Sequence, residues 1–330
     1  MDLSTVWFVA VAALFVGYFV LEGFDFGVGM LVRLFGRDDA ERRQLIGTIG
    51  PVWDGNEVWL ITAAGAMFAA FPGWYATLFS GFYAPMLLIL LALIVRGVAF
   101  EFRGKRDDPA WRRRWDLAIL CGSTVPAVLW GLTFANIVRG VPLAADHEYV
   151  GGLADLVNPF ALLGGLVFLA VFLWHGAVFV ALKTEGEVRV RANRLAARVG
   201  PLAAALLAGF LAWMLLDLRR TPAAAALGVA AVVAAVLAVA ANRVRREGWA
   251  FTGTAAAIAL AVVALFTALY PALLPSTADP AGTLTVAGAA ASPYSLKVMS
   301  VVAAIFLPLV LLYQGWTYWV FRKRLGLTRS

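Results

Sequence analysis

The chain has 330 residues, 62% of them hydrophobic and 14% charged, and its mean hydropathy is +0.84. Soluble domains average about 45–50% apolar and about 25% charged, so a soluble globular enzyme is excluded and a polytopic membrane protein is the class. The 27 Lys and Arg against 20 Asp and Glu, net +7, are expected to mark loops on one side of a membrane, and no nucleic-acid partner is inferred from them.

No Lys or Arg precedes the first apolar run after Met1-Asp2-Leu3-Ser4-Thr5, so that run is expected to stay as a helix and not to be removed as a leader. Apolar runs broken by charged or Pro/Gly punctuation place nine helices. They lie near 4–33, 52–71, 76–100, 115–138, 158–182, 200–218, 222–242, 249–271 and 293–322. Runs such as 223–241 lack the alternation of barrel strands, and the fold is read as an all-α integral membrane protein.

The segments after helices 1, 3, 5 and 7 and the C-terminal tail hold 22 of the Lys and Arg residues, whereas those after helices 2, 4, 6 and 8 hold three, Arg139, Arg219 and Arg220. The positive-inside rule then puts the N-terminus outside and the C-terminus in the cytoplasm, as an odd number of crossings requires. The whole of 1–330 reads as one membrane domain. Arg42-Arg43 before Gly50-Pro51 is echoed by Arg189, Arg191 and Arg194 before Gly200-Pro201. This faint repeat suggests two parallel four-helix halves, 1–140 and 151–271, plus a C-terminal helix at 293–322.

Ionisable groups inside the spans carry the functional information. Glu22 and Asp25 in helix 1, and Asp54 and Glu57 in helix 2, are each spaced i, i+3, which puts both acids of a pair on one helix face. An ionised acid on a lipid face costs about 2.5–3.5 kcal/mol, so these must meet protein, water or each other. At about 1.5 Å per residue, Asp25 and Glu57 sit roughly 12 Å and 9 Å inside the cytoplasmic helix ends. With Glu101 at the end of helix 3, five acids from three helices are expected in the cytoplasmic half, an arrangement suited to proton intake. The competing reading is structural: Asp54 satisfies N–H groups at a helix N-terminus, and Arg33 or Arg96 pairs with Glu22 or Glu101.

Gly23, Gly27 and Gly29 read as helix-packing positions. Cys121, the single cysteine, excludes an internal disulfide framework and is expected to be a small buried side chain. Of two histidines, His147 is expected in a solvated outer loop. His175, in helix 5, could ligate haem, relay protons or only hydrogen-bond. Trp74, Tyr75, Trp316, Tyr318 and Trp319 read as an interfacial aromatic belt. A proton-coupled transporter or ion channel, and a purely structural scaffold, also fit the acids.

Glu22-Gly23-Phe24-Asp25-Phe26-Gly27-Val28-Gly29-Met30, then Arg37 to Arg43, Trp53-Asp54-Gly55-Asn56-Glu57-Val58-Trp59-Leu60 and Ser80-Gly81-Phe82-Tyr83 resemble the first third of subunit II of the cytochrome bd-type ubiquinol/menaquinol oxidases. The resemblance is dense over about 15–135 and looser to the C-terminus. It implies a subunit of a respiratory complex in the bacterial plasma membrane that oxidises quinol and reduces oxygen to water. The haems b558, b595 and d are then held by the partner subunit I, and this chain holds no haem and no metal. It allows a structural quinone, small accessory single-helix subunits and lipid as further partners.

Carried over by motif, Asp54 matches the family aspartate implicated in proton transfer from the cytoplasm, and Asp25 matches its helix 1 companion. Trp59 matches a tryptophan near a proposed oxygen access route or subunit interface. Glu22 stands where other members can have aspartate, and Glu57 where an amide can occur. Asn56 lies within the motif, and Arg96 and Glu101 occupy the charged end of helix 3; Arg96 and Asn56 are given electrostatic or structural roles. The proton pathway implied is therefore drawn from Asp54, Asp25, Glu57, Glu22 and Glu101.

Overall fold

The computed structural model describes residues 2–218 and 221–326. Arg219, Arg220 and Arg329, counted above among the loop charges, lie outside them. Eleven helices follow in order: α1 Leu3–Leu34, α2 Asp39–Ile49, α3 Trp53–Ala70, α4 Pro72–Gly81, α5 Tyr83–Phe102, α6 Pro109–Arg139, α7 Pro159–Lys183, α8 Gly186–Trp213, α9 Pro222–Arg243, α10 Glu247–Leu269 and α11 Pro293–Val320. Four of them begin alike, with a capping side chain followed by proline. Asp108, Asn158, Thr221 and Ser292 each accept a backbone N–H of the first turn, and the proline at the next position has no N–H to leave unsatisfied.

Among the described residues, eight helices are long and apolar enough to cross a membrane: α1, α5, α6, α7, α8, α9, α10 and α11. The ninth expected crossing corresponds to α3, whose 18 residues open with Asp54, Asn56 and Glu57 and are correspondingly less apolar. Helix 3 of the sequence reading divides at Phe82 into α4 and α5, since Phe82 leaves helical geometry at φ −104° and ψ 27°. The arginine-rich stretch 186–199, expected as a loop, is the first half of α8, and α6 begins six residues early. The polar helix α2 was not anticipated, because a search for apolar runs passes over a helix that lies outside the apolar layer.

α1 is the axis of the bundle and packs against α3, α6, α7 and α10. Every residue from Glu22 to Val32 is buried, the pattern of a helix enclosed on all sides. The close crossing with α7 depends on glycine: a Cβ on Gly27 would stand 2.7 Å from the Cα of Gly176 and run into the carbonyl of Phe172. Gly131 and Gly164 set a similar contact between α6 and α7, as small residues do between membrane helices. Cys121 faces outward from α6 and is exposed, contrary to the expected burial; on an apolar outer face a small thiol is equally well accommodated.

α11 lies apart, with Leu296 its one buried residue. It is held at one end by Trp7, whose Nε1 donates to the carbonyl of Leu296 at 3.2 Å and to Ser300 Oγ at 3.1 Å. The loops 140–158 and 270–292 close that end of the bundle. There β1 (Ala272–Leu274) pairs antiparallel with β2 (Leu284–Thr285). His147 is half-buried in these loops with Nδ1 2.9 Å from the carbonyl oxygen of Gly282.

At the opposite end the basic segments are matched to acids. Asp116, fully buried, accepts from Arg103 at 2.6 Å and Arg42 at 3.0 Å. Asp39 meets Arg103, Arg43 and Arg112 at 2.8, 2.9 and 3.0 Å, and Glu41 meets Arg191 at 2.7 Å. Burial raises the Asp39 carboxyl, but the hydrogen bond from Arg103 and the charges of Arg103, Arg112 and Arg43 outweigh it and hold the group below its ordinary value. These pairs tie α2 to α6, to α8 and, through Arg103, to the turn that follows α5.

Candidate functional site

Five of the expected site residues, Glu22, Asp25, Asn56, Glu57 and Arg96, meet where α1, α3 and α5 converge. Glu22 and Asp25 stand one turn apart on the enclosed face of α1, and both are fully buried. α5 supplies Arg96, also fully buried, because Gly122 of α6 lets it in: a Cβ on Gly122 would lie 2.7 Å from the Cβ of Arg96 and 2.8 Å from the carbonyl oxygen of Ala92. Nη2 of Arg96 donates to Oε1 of Glu22 and, at 2.5 Å, to Oε1 of Glu57 on α3. The guanidinium lies 4.7 Å from the ring centre of Phe26, where the π face favours a cation.

Asn56, fully buried on α3, ties Asp25 to α11. Its Nδ2 donates to Oδ2 of Asp25 at 2.7 Å, and its Oδ1 accepts from Tyr318 Oη at 2.8 Å and Gln314 Nε2 at 3.3 Å. Trp59 Nε1 donates to Gln314 Oε1 at 2.8 Å. α11 is therefore attached to the site by polar side chains. The sequence reading missed Gln314 and took Tyr318 for an interfacial anchor; the available signal was Gln314 itself, an uncharged polar residue within an apolar run.

Three carboxylates here face one guanidinium. Oε2 of Glu22, Oδ1 of Asp25 and Nε and Nη1 of Arg96 are buried without a hydrogen bond to protein among the described residues. Buried polar atoms of this kind are commonly bridged by water, so the cluster has acceptors and donors beyond its internal pairs.

Asp54 and Glu101 are not part of this constellation. Asp54 is exposed, accepts from the N–H of Gly55 at 2.8 Å, and lines a groove of about 270 Å³ between α3 and α11 together with Trp59, Gln314 and Tyr318. Glu101 is exposed in the last turn of α5. Asp54 and Asn56 lie two residues apart on one helix, so they point to different sides of it.

His175 is fully buried and stacked on Phe251, with ring centres 4.8 Å apart. Nε2 lies 3.1 Å from the carbonyl oxygen of Val20 and Nδ1 2.6 Å from Oγ1 of Thr254. A carbonyl can only accept, so Nε2 carries a proton, and both ring nitrogens are engaged. The ring is thus a hydrogen-bonded core group linking α1, α7 and α10, with no nitrogen free to serve as an axial haem ligand.

The family model for cytochrome bd terminal oxidase subunit II matches residues 3–321. The chain is 45% identical to cytochrome bd ubiquinol oxidase subunit 2 of Bacillus subtilis (strain 168), covering 98% of this chain and 97% of that one. It is 36% identical to cytochrome bd-I ubiquinol oxidase subunit 2 of Escherichia coli (strain K12), covering 96% and 93%. The fold matches a chain of the bd oxidase from Geobacillus thermodenitrificans with a TM-score of 0.78 at 20% identity, over 98% of this chain and 100% of that one. A buried acid cluster on the motif-bearing helices and a full-length match agree: the chain belongs to the subunit II family of the cytochrome bd terminal oxidases.

Proposed function

We propose that this chain, subunit II of a bd-type quinol oxidase in the bacterial plasma membrane, provides part of the cytoplasmic proton route to the oxygen-reducing site. Reduction of oxygen to water takes up four protons per molecule, and the complex as a whole uses quinol and oxygen. The haems b558, b595 and d are assigned to subunit I, in keeping with the engaged nitrogens of His175. What this chain contributes is acids in a low-dielectric interior, where an exchangeable proton can be held and passed on.

The observation that carries the reading is the Glu22–Arg96–Glu57 cluster joined to Asp25 through the same three helices. Its surplus of carboxylate over guanidinium leaves room for bound protons, and its unpartnered atoms are the points at which a water chain would attach. Asp54, lining the α3–α11 groove, is the entrance acid, and Asp25 the first buried one. Glu101, at the end of α5, serves as a surface collector. Trp59 borders the groove, where oxygen or a structural quinone would find an apolar wall.

The distribution of Lys and Arg supports the N-terminus outside and the C-terminus in the cytoplasm. α3, at about 1.5 Å per residue, is roughly 27 Å long and supplies the ninth crossing. In this reading α1, α3, α5 and α6 make up one four-helix half and α7 to α10 the other, the two meeting where α1 and α6 pack on α7, with α11 added. The apolar faces of α5 and α11 are left to subunit I, lipid and accessory single-helix subunits. A transporter or channel is not favoured, because the oxidase subunit model accounts for 3–321.

The test is Asp25→Asn and Asp54→Asn in the assembled oxidase. Quinol oxidase turnover is expected to fall more than about tenfold, equivalent to roughly 1.4 kcal/mol of barrier, with haem absorbance retained. Full turnover in the assembled variants would overturn the relay role, and loss of haem together with activity would assign the acids a structural one.

A further inference from the structure

We propose that a crevice at the basic end of the bundle binds an anionic phospholipid, its phosphate on Lys183, Arg322 and Arg324 and one acyl chain along Phe179 and Phe251. The crevice measures about 330 Å³, within the roughly 300–1,000 Å³ of small-molecule sites. Phe179 lies four residues before the end of α7 and Phe251 four after the start of α10, about 6 Å in from the helix ends. That is the depth at which a headgroup gives way to acyl chain.

The rim is built by the segment that follows α11. It turns back under the bundle, where Leu325 N donates to the carbonyl of Lys183 at 2.8 Å and Glu185 N to the carbonyl of Leu325 at 3.2 Å. Gln44 Nε2 donates to the same Leu325 carbonyl at 2.7 Å. These bonds hold three cations around one opening.

Lys183 and Arg322 have neutral partners, and Arg324 has a carbonyl, that of Thr184 at 3.4 Å, and one long ion pair. Lys183 Nζ donates to the carbonyls of Phe321 and, at 3.0 Å, Lys323. Arg322 donates to the carbonyl of Trp319 at 2.6 Å and lies over its ring at 4.4 Å. Neither has a carboxylate within ion-pair distance among the described residues. Arg324 comes no nearer than 3.8 Å to Glu247, which Arg189 already holds at 2.8 Å; Glu185 is the other acid near the strap, beside Gly326. At the same end Arg42, Arg103, Arg112 and Arg191 are all matched to acids. A cationic rim over an aromatic floor is complementary to a phosphodiester with a hydrocarbon tail. Placing the site in the cytoplasmic leaflet rests on the orientation proposed above; the binding does not.

The test is native mass spectrometry of the whole complex taken from phosphatidylcholine vesicles containing phosphatidylglycerol. One phosphatidylglycerol is expected to be retained, with retention falling about fivefold in Arg322→Gln, the equivalent of roughly 1 kcal/mol per cation near a membrane surface. It falls further in Lys183→Gln/Arg322→Gln/Arg324→Gln, while phosphatidylcholine adducts are unchanged. Equal retention in parent and variants overturns the proposal, as does displacement by excess inorganic phosphate, which marks a free-anion site. Leu182→Trp, which fills the crevice and leaves every charge in place, is expected to lose the same lipid; parental retention in this variant also overturns the proposal, whether or not the triple variant assembles.

Discussion

Asn56 on α3 donates a 2.7 Å hydrogen bond to Asp25 on α1, and both side chains are fully buried. The amide is fixed from the other side: the Trp59 indole, which can only donate, takes the Gln314 oxygen, so the Gln314 Nε2 faces the Asn56 oxygen and the Asn56 nitrogen is left for Asp25. One side chain thereby links the buried acid of the first helix to the last helix.

Asn56→Leu is expected to lower the thermal stability of the assembled complex by about 1–3 kcal/mol for the buried partner it strands, Asp25. Tyr318→Phe removes one of two donors to the Asn56 oxygen and leaves Gln314 in place, so its cost stays under about 1 kcal/mol. Thermal unfolding of the two variants beside the parent measures the difference; equal effects would contradict the linking role.

Arg96 is the one guanidinium within the cluster. Arg96→Gln leaves Glu22 and Glu57 without their cation and is expected to cost about 3–5 kcal/mol. The double variant Arg96→Gln/Glu22→Gln removes a charge from each side and should recover much of the loss. A double-mutant cycle on the yield and melting temperature of the complex reads the coupling, and additive losses would show that the pair is not coupled.

Gly122→Ala puts a methyl against the Cβ of Arg96 and the carbonyl of Ala92. Neither can move without α5, so a loss of about 1–3 kcal/mol is expected, together with lower turnover. Gly209→Ala on α8 meets nothing within 4 Å and should gain about 0.5–1 kcal/mol from helix propensity. Melting temperatures of the two complexes should move in opposite directions.

Asp39 gives the basic end a defined pH response. Its folded value lies below the ordinary 3.8, so its contribution is fully present above the unfolded value and is lost as pH falls through the folded one. Asp39→Asn is expected to cost of order 1 kcal/mol, unchanged between about pH 5 and pH 7, and the gap to the parent should close below about pH 4. Melting curves across that range test this; a gap that opens on acidification would reverse the sign.

Composition and the spacing of apolar runs were enough to identify an all-helical membrane chain, and the Glu22–Asp25 and Trp53–Trp59 segments were enough to locate its unusual acids. Charge in an apolar span is costly wherever it sits, so its presence is legible from sequence alone. Which acids share a site was decided only by the tertiary structure. Asp54 and Asn56 are two residues apart, but helix rotation sends one to a groove and the other to the interior, and Arg96 reaches Glu22 because Gly122 allows α6 close to α5. The same holds for Gln314 and Tyr318, more than 250 positions from Asn56, since the pairing of distant helices is set by how side chains pack and not by any local pattern. Helices outside the apolar layer, α2 and the first half of α8, escaped for a related reason. Their stability comes from ion pairs such as Glu41–Arg191 between segments remote in sequence, which hydropathy does not record.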